Sequence, residues 1–186
     1  MSRLIPISRK NGTDYFHMEQ LTPGDSLVDF SCSLEEYTEY LPEDALRSQK
    51  DHIALTWLLW DRTTGGIAAY MSLIADAIKL SVSEKELHNL NYPFKTIPAM
   101  KIAKLAVSQV SQSKYKGIGS FMIINARSLA RICNRQLFSC RFLTVDADIE
   151  NNESVLTFYE KNGFILNSEM NNKNRKTISM RKDIFA

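Results

Sequence analysis

The chain has 186 residues, 44% hydrophobic and 24% charged, with a formal net charge of +2. That length buries a substantial core, and one domain over residues 1–186 is expected with the balance of an ordinary globular protein. No apolar run is long enough to cross a bilayer and the first ten residues lack a signal-peptide core, so a cytoplasmic location and no membrane partner are expected.

In chain order, residues 15–19 alternate weakly as a first strand, and Thr22-Pro-Gly-Asp25 is a turn. A helical region covers 33–50, interrupted or started afresh at Pro42, with Ser33 and Glu36 spaced as a capping box. The apolar run 53–60 reads as a buried strand, Asp61-Arg-Thr-Thr-Gly-Gly66 as a turn, and 67–73 as the returning strand. Residues 74–87 fit either an extended strand or a short helix. A loop with two prolines covers 89–98, and 99–107 alternates as a strand should. Apolar positions 118, 121, 122, 129 and 132 mark the inner face of a helix. A short strand at 142–145 precedes a helix over 152–162 that Gly163 ends as a C-terminal cap. Residues 164–165 and 177–180 look like a closing strand pair around a polar turn at 167–176. The result is a mixed α/β chain, with hairpins early and strand–helix units late.

Three cysteines, Cys32, Cys133 and Cys140, are odd in number and lack CxxC spacing, which suggests neither a disulfide framework nor a metal site. Cys133, within a helical pattern, reads as a small core residue. Between Leu87 and Val145 there is no Asp or Glu, while nine Lys and Arg residues occur there. Such a block is either a solvated basic face or the attractive field for an anionic ligand.

Within that block an apolar strand breaks into a polar, basic loop, Gly117-Ile-Gly119 follows, and an amphipathic helix starts at once. Two glycines allow close backbone approach, and a helix N-terminus offers unpaired N–H donors and a positive dipole end. Lys114 and Lys116 add charge. The segment has the makings of a pyrophosphate cradle, although a tight turn without ligand fits the same residues.

These residues resemble the GNAT superfamily of N-acetyltransferases. Lys114-Tyr-Lys-Gly117-Ile-Gly119 is similar to the family's phosphate loop, with Lys114 where Arg or Gln is usual. Lys101-Ile-Ala-Lys-Leu-Ala-Val107 resembles its central strand, and Asn152 through Tyr159 to Gly163-Phe164 resembles its late helix. A looser similarity, from Asp29-Phe-Ser-Cys32 through Tyr70-Met-Ser-Leu73, is to the acetyltransferase toxins of toxin–antitoxin systems. The resemblance implies a GNAT-like domain: a mixed, mostly antiparallel sheet of six to seven strands, flanked by helices, with splayed central strands.

It further implies direct transfer of an acetyl group from acetyl-CoA to an amine-bearing acceptor, with no metal. The backbone of Gly117, Ile118, Gly119 and Ser120 would hold the pyrophosphate, with Lys114 and Lys116 adding attraction. The backbone of Leu105, Ala106 and Val107 would bind the pantetheine arm and help polarise the thioester carbonyl. Asn152 would contact that arm or order the late helix. Tyr159 would protonate the departing thiolate; a tyrosine of ordinary pKa near 10 is protonated at neutral pH. Without the resemblance, Tyr159 reads as a packing residue and Asn152 as a helix cap. Asp146 and Asp148 either face the acceptor or belong to an exposed loop, and His17, His52 and His88 have no partners by spacing.

Residues 99–107 contain no acid to serve as general base. A lysine ε-amine of pKa about 10.4 is only ~0.04% neutral at pH 7, against roughly a fifth of an α-amine of pKa about 7.7. A base-poor site therefore favours an α-amine, of a small molecule, a peptide N-terminus or aminoacyl-tRNA. A toxin acting on aminoacyl-tRNA and a non-turnover acyl-CoA-binding module are the rival readings; a dinucleotide-binding domain is poorer, because a third glycine and an early βαβ unit are missing. A homodimer through strands near the C-terminus is implied by the family alone.

Overall fold

The turn at 62–66 forms because Asp61 Oδ1 accepts hydrogen bonds from Thr63 N–H (2.8 Å) and Oγ1 (2.7 Å), and Gly65 takes the left-handed conformation at φ +72°. It joins β3 (Leu55–Asp61) to β4 (Ile67–Ile78), paired antiparallel from Leu55↔Leu73 to Trp60↔Ile67 with a bulge at Leu59/Trp60. The computed structural model describes residues 4–152, 154–168 and 176–186. Seven strands follow in the order β2 (Phe16–Gln20), β3, β4, β5 (Ile97–Val107), β7 (Phe142–Asp148), β9 (Thr177–Asp183), β8 (Ile165–Leu166). Ser108 N–H, just past β5, bonds the Ala68 carbonyl (2.9 Å) at the start of β4, so those two strands run antiparallel. The β5–β7 pair is parallel, and β7–β9 and β8–β9 are antiparallel. The mixed, mostly antiparallel sheet of the expected size is thus borne out.

The chain divides into two compact units, Met1–Ile74 with Ile102–Asn125, and Ala75–Lys101 with Ala126–Ala186. In the first, Leu21, Leu27, Phe30, Leu41, Leu58, Tyr70 and Ala106 form one buried apolar cluster. Helix α2 (Glu35–Glu43) and α3 (Ala45–Lys50) contribute Leu41 and Ala45 to it. Two expectations are corrected here. Pro42 does not restart the helix: it sits inside the last turn of α2, and the break follows at Asp44 (φ −113°). The Ser33–Glu36 capping box is not formed, because Leu34 is the N-cap residue.

A capping box does form in the second unit, in a stretch the sequence left ambiguous. Residues 74–78 continue β4, and Ser81 opens α4 (Val82–Leu87). Ser81 Oγ accepts from Glu84 N–H (3.2 Å) while Glu84 Oε2 accepts from Ser81 N–H (2.9 Å). Ile78, Leu80, Ile97, Ala99 and Phe142 pack together beside it. Below them Arg181, 1% exposed, donates from one terminal nitrogen to Glu84 Oε1 (2.7 Å), Leu166 O (2.7 Å) and Asn167 Oδ1 (2.9 Å). Burial would raise the Glu84 carboxyl; hydrogen bonds from Ser81 and Ser168 and the Arg181 charge outweigh it and hold it at about 2. His88, assigned no partner from its spacing, lies 3.3 Å from Asp183 through Nδ1.

Helix α7 (Val155–Lys161) ends at Asn162, with Gly163 at φ +81° as expected. Of the polar turn expected over 167–176, residues 169–175 lie outside the described residues. Among the described residues no helix is long and apolar enough to cross a membrane.

Candidate active site

The strand that resembles the pantetheine-binding strand keeps part of its backbone out of one ladder. β5 pairs with β7 only from Ala99↔Phe142 to Lys101↔Thr144, yet β5 runs on to Val107 and β7 to Asp148. Leu105, Ala106 and Val107 therefore take no part in that ladder, and the Val107 carbonyl accepts from Gln112 Nε2 (3.0 Å) instead. On the side-chain level β5 is tied to α2: Lys104 Nζ lies 2.5 Å from Glu36 Oε1 and over the rings of Tyr37 (4.5 Å) and Tyr40 (5.0 Å).

The basic segment after β5 is not an open loop. Ser108 caps a short helix, α5 (Gln109–Lys114), its Oγ accepting from Ser111 N–H (3.1 Å). Tyr115–Lys116 then form β6, which pairs in parallel with β1 (Ile5–Pro6). Helix α1 (Gly12–Tyr15) packs so closely that a Cβ at Gly12 would meet the Phe121 ring at 2.2 Å. Neither β1 nor α1 was anticipated, because two to four residues carry no readable periodicity.

Gly117 stands at φ +98°, and a Cβ there would come within 2.8 Å of the Ile7 carbonyl oxygen. Glycine is therefore required by the backbone conformation and by the neighbouring chain. Helix α6 (Ile118–Gln136) starts at the next residue, with Phe121 N–H bonded to Gly117 O (3.0 Å). By position, the N–H groups of Ile118, Gly119 and Ser120 have no intrahelical acceptor, and they carry the positive end of a 19-residue helix. That arrangement fits a pyrophosphate.

The two candidate cations differ. The Lys114 ammonium lies 3.4 Å from Asp61 Oδ2, hydrogen-bonds Thr63 Oγ1 and sits 4.8 Å from the Tyr115 ring centre. The Tyr115 side chain and then Asp61 raise its pKa above the ordinary lysine value. Asp61, 2% exposed, also accepts from Tyr115 Oη (3.0 Å). Burial acts to raise its carboxyl, but hydrogen bonds from Thr63 and Tyr115 and the Lys114 charge keep it below its ordinary value. Lys116 is exposed, and among the described residues no carboxylate pairs with it. Asp61 and Thr63 escaped the sequence reading because a turn motif explains them without a second role.

Leu105–Val107 and Lys114–Ser120 fall in the first unit; Asn152 and Tyr159 belong to the second. Asn152 Oδ1 accepts from Ser154 N–H (3.1 Å) and Oγ (2.8 Å), and its carbonyl accepts from Val155 N–H (3.1 Å), so it orders the start of α7. Tyr159 is 8% exposed, its ring against Phe158 (5.0 Å) and Phe164 (5.2 Å). Asp146 pairs with Lys101 (2.9 Å), and Asp148 accepts from Asn151 Nδ2 (2.8 Å) and from the backbone of Glu150 and Asn151. Both acids have local structural partners. Among the described residues no three His, Cys, Asp or Glu side chains gather as a metal site.

No known family profile matches the chain, and no curated protein does. Solved structures do. AtaT complexed with acetyl-methionyl-tRNAfMet superposes with a TM-score of 0.74 at 21% identity, covering 90% of this chain and 94% of that one. A tyrosine-to-phenylalanine mutant of KacT gives 0.72 at 17% identity, covering 90% and 95%. A like mutant of the AtaT toxin, bound to the C-terminus of the antitoxin AtaR and acetyl-CoA, gives 0.67 at 20% identity, covering 89% and 92%. At these identities the likeness establishes the fold: the chain has the fold of AtaT and KacT, as the resemblance to the GNAT superfamily implied.

Proposed function

We propose that this chain, working as one domain over residues 1–186 in the cytoplasm, is an acetyl-CoA-dependent N-acetyltransferase that acts on a primary amine by direct transfer. The observation that carries the reading is the pairing of a helix N-terminus behind Gly117 with strand residues 105–107 left outside the β5–β7 ladder. The fold likeness to a toxin bound to acetyl-CoA supports it.

Acetyl-CoA supplies an activated thioester. The N–H groups of Ile118, Gly119 and Ser120 receive its pyrophosphate, with Lys116 as an exposed cation. Lys114, tied to Asp61, acts by holding the segment in place and through its field. The backbone of Leu105, Ala106 and Val107 aligns the pantetheine arm and polarises the carbonyl. Asn152 fixes the start of α7, and Tyr159 gives its hydroxyl proton to the sulfur as the carbon–sulfur bond breaks. The amine nitrogen forms the new bond to the carbonyl carbon. No acid lies on β5, so its excess proton returns through solvent to the Tyr159 oxygen.

A second reading, action on the amino group of aminoacyl-tRNA, is favoured by the likeness to AtaT complexed with acetyl-methionyl-tRNAfMet and by the acid-free block from Leu87 to Val145. Thiol release from acetyl-CoA, measured against small amines, N-terminal peptides, lysine peptides and charged tRNA, tests both. Release on one class, lost in Tyr159→Phe, is expected; acetyl-CoA binding without release on any class leaves a binding module instead.

A further inference from the structure

Beside the turn at 62–66, within the first unit, lies a cavity of about 260 Å³. At about 30 Å³ per water it holds roughly nine waters' worth of ligand, below the usual range for a drug-sized molecule. Phe30, Trp60 and Ile67 supply apolar walls, Ser108 and Ser111 supply hydroxyls, and Asp29 supplies a carboxylate. Among the described residues no basic side chain lines it, so the cavity is net negative. A phosphate or carboxylate is disfavoured there and an ammonium is favoured.

Its position relates it to the proposed transfer. Ser108 directly follows Val107, and it is held by its N–H on Ala68 O and by its Oγ under Ser111 N–H. Phe30 belongs to the same buried cluster as Ala106, and Trp60 and Ile67 pack against that cluster. The walls of the cavity are thus built onto the strand segment assigned to the thioester.

The geometry points to this cavity as the acceptor pocket, taking a primary amine carried on a compact apolar group, with Asp29 receiving the ammonium. The inference rests on the transfer reading for its chemistry, while its binding step stands apart from turnover. The ammonium loses two protons as nitrogen bonds the carbonyl carbon and the carbon–sulfur bond breaks. One proton balances that given to the sulfur through Tyr159, and one is released to solvent.

Leucinamide, glycinamide and N-acetyl-leucinamide are the probes. In a Trp57→Phe background Trp60 is the only tryptophan, and its emission reports occupancy without acetyl-CoA. Leucinamide is expected to bind at least about tenfold more tightly than glycinamide, the selectivity of a modest apolar pocket. N-acetyl-leucinamide, which lacks the charge, is expected to bind more weakly than leucinamide. Asp29→Asn, at an exposed residue, should weaken leucinamide about fivefold, and the acetyl-CoA Kd should not move. Val110→Phe, also at an exposed lining residue, should block leucinamide with the same indifference to acetyl-CoA. Equal affinity for leucinamide and glycinamide overturns the proposal. So does loss of acetyl-CoA affinity in Val110→Phe, which would give the cavity to the cofactor. If leucinamide binds as expected yet no amine releases thiol, the pocket stands and the transfer reading fails. If thiol is released equally from both amides while Trp60 stays silent, the transfer reading stands and the pocket falls.

Discussion

Lys114 Nζ and Asp61 Oδ2 lie 3.4 Å apart, and this pair fastens the segment before Gly117 to the β3–β4 turn. The carboxylate is 3% exposed at the side chain and the lysine 36%, so the buried partner depends more on the pair. Asp61→Asn keeps the shape but withdraws the charge that Tyr115, Thr63 and Lys114 address. It is expected to destabilise the fold by about 1–3 kcal/mol, read as a lower urea midpoint with unchanged slope. Acetyl-CoA affinity should fall with it, because the segment carrying Lys116 and Gly117 loses its tether.

Gly117→Ala meets two obstacles together, a φ of +98° and a carbonyl oxygen 2.8 Å from the new methyl group. Backbone cannot yield as a flexible side chain can, so about 1–3 kcal/mol of destabilisation is expected. Acetyl-CoA affinity should drop at least tenfold by calorimetry, even at temperatures where circular dichroism shows the variant folded. Affinity equal to that of the parent would remove the pyrophosphate role from this loop.

Tyr159→Phe leaves the ring against Phe158 and Phe164, so the variant should still fold, as circular dichroism would show. If the hydroxyl is the proton donor, kcat for thiol release falls by about 10²–10⁴, with the acetyl-CoA Kd unaltered. A variant that turns over like the parent would move the proton transfer elsewhere.

Glu84 gives the second unit a definite acid response. Its folded value of about 2 lies below the ordinary 4.5, so the protonated form binds the fold less well. The stability it contributes is present in full above about pH 4.5 and is lost as pH falls towards and through 2. In Glu84→Gln that portion of the acid slope should vanish. Stability at pH 7 should fall by about 3–5 kcal/mol, because Arg181 stays buried without its counter-charge. Thermal melts from pH 7 to pH 2 on both proteins check the two statements together.

The long periodic elements were legible because their burial patterns are strong: β3, β4, β5 and α6 fall where the apolar runs and the 118–132 face put them. Gly65 and Gly163 declared themselves through turn and cap chemistry. What failed was decided by the local path of the chain or by partners remote in sequence. Ser33 and Glu36 have capping-box spacing, yet chain entry at Leu34 leaves Ser33 outside the helix; Ser81 and Glu84 have the same spacing and succeed. Gly117 was read as room for a ligand, and its reason in the fold is Ile7. Lys114 was read as a phosphate cation before Asp61 could be known to lie beneath it. Asp29 and Trp60 lie 31 positions apart, and only the folded chain brings them to one cavity.

The parallel pairing of Ile5 with Tyr115 joins residues 110 positions apart. Closing so long a stretch has an entropic cost that local contacts cannot offset early, so this pairing belongs to the later steps of folding. During synthesis the first residues must wait for more than half of the chain before their partner emerges. A nascent or partly folded chain can therefore hold its β3–β4 hairpin while the turn at Gly117 is still unset, and competence to bind an anion arrives after most of the hydrophobic core.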